Sequence, residues 1–158
     1  MGTRSTIAVC HQDGTISQIY CHWDGYLRHN GSILQSYYDS LAAAEKLISG
    51  GNLSSLNKYC SLPLGQGHNF NNPQPGHCVY YGRDRGEANQ QPKLFADINA
   101  FIYHAQWQEY NYIFINDHWM VDRRPGYEDT DAPIEFYSLK DVLIANGISL
   151  QSATDEII

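Results

Sequence analysis

The order of apolar runs predicts an α+β fold: a single domain whose antiparallel sheet is built from hairpins, with three to four helices packed on it. Two observations carry this. Alternating strand patterns come in pairs, each pair interrupted by a two-residue turn signal. Between and after them lie stripes at helical spacing, and the sequence of elements (strand pair, helices, strand, helix, strand pair, helix) does not alternate as βαβ units do.

Residues 6–12 and 15–22 form the first strand pair, separated by Asp13-Gly14. Asp-Gly between apolar runs predicts a type I′ turn, which needs positive φ at both central residues. That turn fixes a pairing in which Ile7 faces Tyr20, Ser5 faces His22 and Arg4 faces Trp23, placing the last two for a cation–π contact. Ile33, Leu34, Tyr37 and Leu41 then follow helical spacing. Leu41, Ala44, Leu47 and Ile48 make a second stripe, started by Asp39 or Ser40 and closed by Gly50-Gly51. Leu53 to Leu56 reads as a short turn onto the core.

Residues 57–76 carry Pro63, Gly65, Gly67, Pro73, Pro75 and Gly76 and read as one long irregular loop. A short strand over 78–81 leads into Gly82-Arg83-Asp84-Arg85-Gly86. Phe95, Ile98, Phe101, Ile102 and Ala105 form a helical stripe. Residues 110–115 and 118–122 make a second hairpin across Asn116-Asp117, with Trp119 near its tip and expected to be exposed. A helix capped by Ser138 ends near Gly147. The domain is expected to run over 1–148, with 149–158 a polar tail that frays.

The chain has 158 residues, enough for a core without disulfides or metal. Seventeen acidic against ten basic residues give a formal charge of −7 and a pI near 5.3. That balance argues against coating nucleic acid, and leaves room for a small phosphorylated ligand held by one or two local arginines. Twelve tyrosines suit a recognition surface as well as strands and rims. Cys10, Cys21, Cys60 and Cys78 are expected to be reduced thiols of a cytosolic protein, since no apolar leader follows Met1 and no run approaches the ~18 residues of a membrane span. No Cys-x-x-Cys or His-x-x-x-His occurs, so neither metal nor another cofactor is expected.

Two segments are candidates for chemistry. In Tyr20-Cys21-His22-Trp23-Asp24-Gly25-Tyr26, a strand exit presents rings, an imidazole and a carboxylate together. His22, Asp24 and Tyr26 could form an acid–base or ligand-gripping set; the structural alternative is that Trp23 and Tyr26 pack while Asp24-Gly25 turns. In Gly82-Arg83-Asp84-Arg85-Gly86, glycines would let a ligand approach and guanidinium groups would bind phosphate oxygens. An exposed turn with a surface ion pair is the alternative. His68, His77 and Arg123-Arg124 read as solvated.

The segments 1–9 (Met-Gly-Thr-Arg-Ser-Thr-Ile-Ala-Val), 20–26, 53–56 and 81–86 together resemble a family of small bacteriophage and prophage proteins, over about the first 90 residues. The resemblance implies a phage-encoded accessory protein in the cytoplasm of an infected bacterium and carries no catalytic residues with it. Such proteins often counter host defences, one strategy being to sequester nucleotide signals without chemistry. The leading expectation is therefore a non-catalytic binding protein for a small phosphorylated ligand, of cyclic or ADP-ribose type. Arg4, Trp23, Tyr26, Tyr81, Arg83 and Arg85 would supply stacking and anion contacts, with His22 and Asp24 orienting the ligand. A protein–protein inhibitor of a host enzyme, and a His22/Asp24 hydrolase, are the alternatives. A homo-oligomer is compatible with any of them.

Overall fold

The computed structural model describes residues 2–65, 67–123 and 134–149. The first hairpin pairs β1 (Ser5–Cys10) with β2 (Ile16–Cys21), and its register differs from the expected one by a single residue. Ile7 faces Ile19, Thr6 faces Tyr20 and Ser5 faces Cys21. The cause is the turn: only Gly14 takes a positive φ (89°), so Asp13-Gly14 cannot form the primed turn. Instead Gly14 N–H donates to His11 O and His11 N–H to Thr15 O, a three-residue loop with its left-handed position at glycine. Asp13 is occupied in bracing it, accepting from the Thr15 amide and hydroxyl. One consequence is that Arg4 no longer stands opposite Trp23.

A π-helical turn (Leu27–Gly31) runs directly into α1 (Ser32–Tyr37). Then α2 (Leu41–Ser49) starts at Ser40, whose hydroxyl accepts from Ala43 N–H, as the capping pattern predicts. Leu53–Ser55 is a strand, β3, rather than a turn: it lies parallel to β2 at Cys21 and carries β4 (Val79–Tyr80) on its other edge. Gly82-Arg83-Asp84-Arg85 is not an open loop either. It belongs to a one-turn helix, α3 (Tyr81–Arg85), ended by Gly86 at φ 78°. Phe95 leaves the expected helical stripe to close β5 (Lys93–Phe95), which pairs with β2, and α4 (Ile98–His104) follows, capped by Asp97. The second hairpin, β6 (Tyr110–Ile115) and β7 (His118–Arg123), turns at the expected Asn116-Asp117 pair, and the turn is of the primed type, with φ of 55° at Asn116 and 66° at Asp117. Last come β8 (Tyr137–Ser138) and α5 (Leu139–Ala145), started by Ser138.

Among the described residues this gives a single α+β domain with eight strands and five α-helices. The strand order is β4-β3-β2-β1-β6-β7-β8, with β5 beside β2. The sheet is mixed: β1–β6 and β2–β3 are parallel, the rest antiparallel. Parallel neighbours require a long crossover, and the whole stretch from β2 to β6, including four helices, supplies one for β1.

Helices cover both faces. Ile7, Val9, Ile19, Tyr112, Phe114, Trp119 and Val121 pack on one side against Leu34, Ala44, Leu47, Ile48, Leu139 and Leu143 of α1, α2 and α5. On the other side Ala8, Ile16 and Ile113 meet Phe101 of α4, with Trp107 edge-on to Phe101 and Phe136 edge-on to Trp107. Trp119 is fully buried, contrary to its position near a hairpin tip. The final residues 150–158 of the expected tail, and Arg124, lie outside the described residues. No helix among the described residues is long and apolar enough to cross a membrane.

All four cysteines are free thiols. Burial pushes Cys21 up to about 12 and Cys78 up to about 11. Both are fully inaccessible, and their sulfurs are engaged by Asn30 and by the Asn57 backbone. Ellman's reagent is therefore expected to titrate two thiols in the native protein, Cys10 and Cys60, and four after denaturation.

Candidate functional site

The two segments singled out by sequence do not form one site. Their described contacts fall into two groups, and β3 lies between the strands that carry them. In the first group, much of the strand-exit segment is occupied in holding the chain together. Asn30, fully buried, donates to Ser5 Oγ, Cys21 Sγ and Trp23 O. Gly25 N–H donates to Thr3 O at 2.7 Å, and Tyr112 Oη donates to Gly25 O at 2.6 Å. A Cβ on Gly25 would lie 2.8 Å from that of Ser5, so this glycine allows the strand exit to lie against the N-terminal segment. Asp24 occupies the left-handed turn at φ 57°.

The expected His22–Asp24 pair is absent from this arrangement. His22 Nδ1 faces Tyr20 Oη at 2.8 Å, and its ring meets Trp23 edge-on at 4.7 Å. Asp24 turns to Tyr26, and its charge raises that phenol's pKa. Burial, then the nearby Arg4 guanidinium and the chain's amino terminus, lower the pKa of His22. The imidazole is thus neutral at pH 7 and accepts from Tyr20 through Nδ1 or donates to it, according to tautomer. Arg4 sits beside His22, and its Nε is buried with no partner.

In the second group the arginines diverge. Arg83 turns inward: Nε and Nη2 fork onto the two Asp84 carboxylate oxygens at 2.8 and 3.0 Å, while Nη1 and Nη2 donate to Cys60 O and Cys78 O. Its Cζ also lies 4.7 Å over the Tyr80 ring. Such a guanidinium has few donors left for a ligand. His68 is not solvated but buried within this network. Its Nε2 donates to Cys78 O, its Nδ1 accepts from Gln74 N–H, and Asp84 lies 3.4 Å away. The ring joins Arg83, which holds Cys60 O, in tying the long 57–76 segment to the domain. Arg85 points elsewhere, stacking 4.7 Å over Phe70, which in turn packs beside Tyr81.

A cavity lies on the α4 side of the sheet, lined mainly by residues outside the two segments singled out from sequence. Strand alternation puts Thr6, Gln18 and Tyr20 on its floor, with Arg4 and His22 continuing the same two rows. One wall comes from Asn52, Asn89, Gln91 and Lys93, the other from Gln106 and Gln108. The volume is about 350 Å³, within the range of small-molecule sites. The walls are braced from behind. Asn52 accepts from Tyr20 N–H, donates to the Gln90 side chain and bonds the Gln90 carbonyl through its own backbone. Asn111 holds both the amide and the carbonyl of Gln108 and accepts from Thr6 Oγ1.

Gln18 stands out. It is 5% exposed, yet its Nε2 has no hydrogen-bond partner. A buried orphaned amide donor costs about 1–3 kcal/mol, so a fold keeps one where something else supplies the acceptor. Only the recurrence of carboxamides at 89–91 and 106–108 hinted at this groove, and no periodicity links those stretches to Gln18. No protein-family model matches the chain, and comparison with curated proteins and solved structures gives no significant match.

Proposed function

We propose that this protein binds a small phosphorylated ligand of nucleotide type in the carboxamide groove, a site that holds the ligand without catalysis. The observation that carries the reading is the buried, unpartnered Gln18 amide on the groove floor. Carboxamides match the mixed donor and acceptor edges of a nucleobase, and Lys93 on the wall with Arg4 in the adjoining row offers cations to phosphate oxygens. The groove is lined by amides, one hydroxyl, a phenol and an ammonium, a set suited to recognition more than to proton transfer or nucleophilic attack. Of the residues expected from sequence, Arg4 and His22 belong to this reading. Trp23, Asp24, Tyr26, Tyr81, Arg83 and Arg85 do not line the groove. Taken with the resemblance to phage proteins, the binding would withhold a defence signal in the cytoplasm of an infected bacterium.

Titration calorimetry of the whole chain with cyclic di-AMP, cyclic GMP–AMP and ADP-ribose tests this. The expected result is saturable binding of one probe, with the ligand recovered intact after heat release. Gln18→Leu should weaken that binding by at least about tenfold, the loss of one buried hydrogen bond, without lowering stability because it removes an orphaned donor. Absence of binding to all three probes, or binding indifferent to Gln18→Leu, would exclude the groove as proposed.

One feature favours a second reading. Tyr103 (86% exposed), Ile98 and Ile102 are exposed apolar side chains carried by α4, a surface suited to docking on a host enzyme. Tyr38, Tyr80 and Tyr112 are buried and take no part in such a surface. A stoichiometric host partner lost on Tyr103→Asp, and kept by Gln18→Leu, would favour the inhibitor reading over the groove.

A further inference from the structure

On the opposite face of β2 from Gln18, three side chains distant in sequence meet at the β1–β2 turn. Ser17 Oγ lies 2.8 Å from His11 Nε2, and His11 Nδ1 lies 2.5 Å from Glu45 Oε2. The order is hydroxyl, imidazole, carboxylate, each linked through a different ring nitrogen. A carboxylate can only accept, so Nδ1 carries the proton toward Glu45 and Nε2 presents its lone pair to the Ser17 hydroxyl. That is the tautomer a general base requires.

Each member comes from a fixed element. Ser17 is held in the middle of β2 between Val9 and Leu94. His11 is held through both its amide and its carbonyl in the turn, and Glu45 projects from α2. The set is reachable from solvent, with His11 27% and Glu45 39% exposed at their side chains and Ser17 half-buried. The spacing of 6 and 34 residues follows no nucleophile-elbow pattern, which is why nothing in the sequence marks it.

We propose that Ser17, His11 and Glu45 form a nucleophile–base–carboxylate triad that gives this protein a second activity, hydrolysis of small activated carboxylic esters, independent of the groove. Ser17 Oγ attacks the ester carbonyl carbon while its proton passes to His11 Nε2, and Glu45 stabilises the imidazolium. The bond from Oγ to the acyl carbon forms, the bond to the alkoxide breaks, and His11 returns the proton to that leaving group. Water then attacks the acyl-Ser17 ester with His11 again as base, releasing the carboxylic acid and restoring the hydroxyl. The described contacts supply a nucleophile and a base but no oxyanion donor, whose loss costs roughly 10²–10³ in rate in a full site. Reactivity is accordingly confined to esters with good leaving groups and to strong electrophiles.

The competing explanation is purely structural: the same hydrogen bonds fasten the turn to α2. Covalent chemistry separates the two. Folded whole chain is treated with a biotinylated fluorophosphonate, whose phosphorus takes the bond from Ser17 Oγ as fluoride leaves, and the adduct is mapped by mass spectrometry. Release of p-nitrophenolate from p-nitrophenyl acetate is followed in parallel. Labelling at Ser17 is expected in the native protein and not after denaturation. Ser17→Ala should abolish the hydrolysis, His11→Ala should slow it about 100-fold, and Glu45→Gln should slow both reactions. Ser61→Ala, an exposed control, should change nothing. No adduct on Ser17 in the folded protein, or hydrolysis unchanged in Ser17→Ala, overturns the proposal and leaves the contacts as a structural tie.

Discussion

Replacing Asp84 by alanine is expected to destabilise the protein by about 3–5 kcal/mol and to release the 57–76 segment from the domain. The Asp84 side chain is 1% exposed and faces three donors: the Arg83 fork, the Tyr80 amide at 2.8 Å and the His68 ring. Removing it strands the Tyr80 N–H, and leaves Arg83, only 26% exposed, without its counter-charge. That remaining access to water keeps the cost from rising further. The Asp84 backbone also accepts from Phe70 N–H, so exchange of the Phe70 amide and proteolysis within the segment should both accelerate. A thermal melt together with limited trypsin digestion of wild type and Asp84→Ala measures both effects. A variant that melts within about 1 kcal/mol of wild type would show the network to be dispensable.

The same residue makes the acid limit predictable. Burial acts to raise the Asp84 pKa, but hydrogen bonds from Arg83 and Tyr80, with the charge of Arg83, outweigh it and hold the carboxyl below its usual value. A depressed folded pKa means the unfolded chain takes up the proton first. The stabilisation is fully present above about pH 4 and is lost as pH falls through the lower folded value. Wild type and Asp84→Asn melts should therefore differ at pH 7 and converge in acid.

Asp84 also marks the limit of what the sequence discloses. Its neighbours Arg83 and Arg85, flanked by glycines, have the composition of an anion loop, and nothing local distinguishes that from a helical turn. The distinction comes from Cys60 and Cys78, whose carbonyls draw Arg83 inward, and from His68, which no periodicity joins to them. Elements whose information is local were legible: the Ser40 and Ser138 caps, the Gly50-Gly51 stop, the Asn116-Asp117 turn and the α+β composition. Asp13-Gly14 misled because two turn types share its chemistry, and the choice shifted every pair in the hairpin by one residue. Parallel pairing of β1 with β6, the groove around Gln18 and the Ser17–His11–Glu45 set all depend on contacts between distant segments. Pattern reading has no access to those.

Trp119→Ala is expected to cost a further about 3–5 kcal/mol in its own right, lowering Tm by roughly 10 °C. The indole is completely buried, meets Phe114 edge-on at 5.4 Å, and donates from Nε1 to Tyr38 O at 3.0 Å. Trp119→Phe separates the contributions. It keeps most of the packing and loses the hydrogen bond and some volume, so its cost should be about 1–2 kcal/mol. Tyr38 is the residue through which the defect should travel. It ends α1, and its hydroxyl donates to Asn57 O and lies 3.6 Å from Cys78 Sγ, the buried thiol beneath the Arg83–His68–Asp84 network. A cavity at Trp119 frees Tyr38 to shift and opens the cover over Cys78, whereas phenylalanine leaves Tyr38 packed. Ellman titration should then count Cys78 as slowly reactive in Trp119→Ala and protected in Trp119→Phe, with Cys21 protected in both. Equal protection of Cys78 in the two variants would mean that β7 and the long segment respond independently, and that the Tyr38 bridge carries no strain between them.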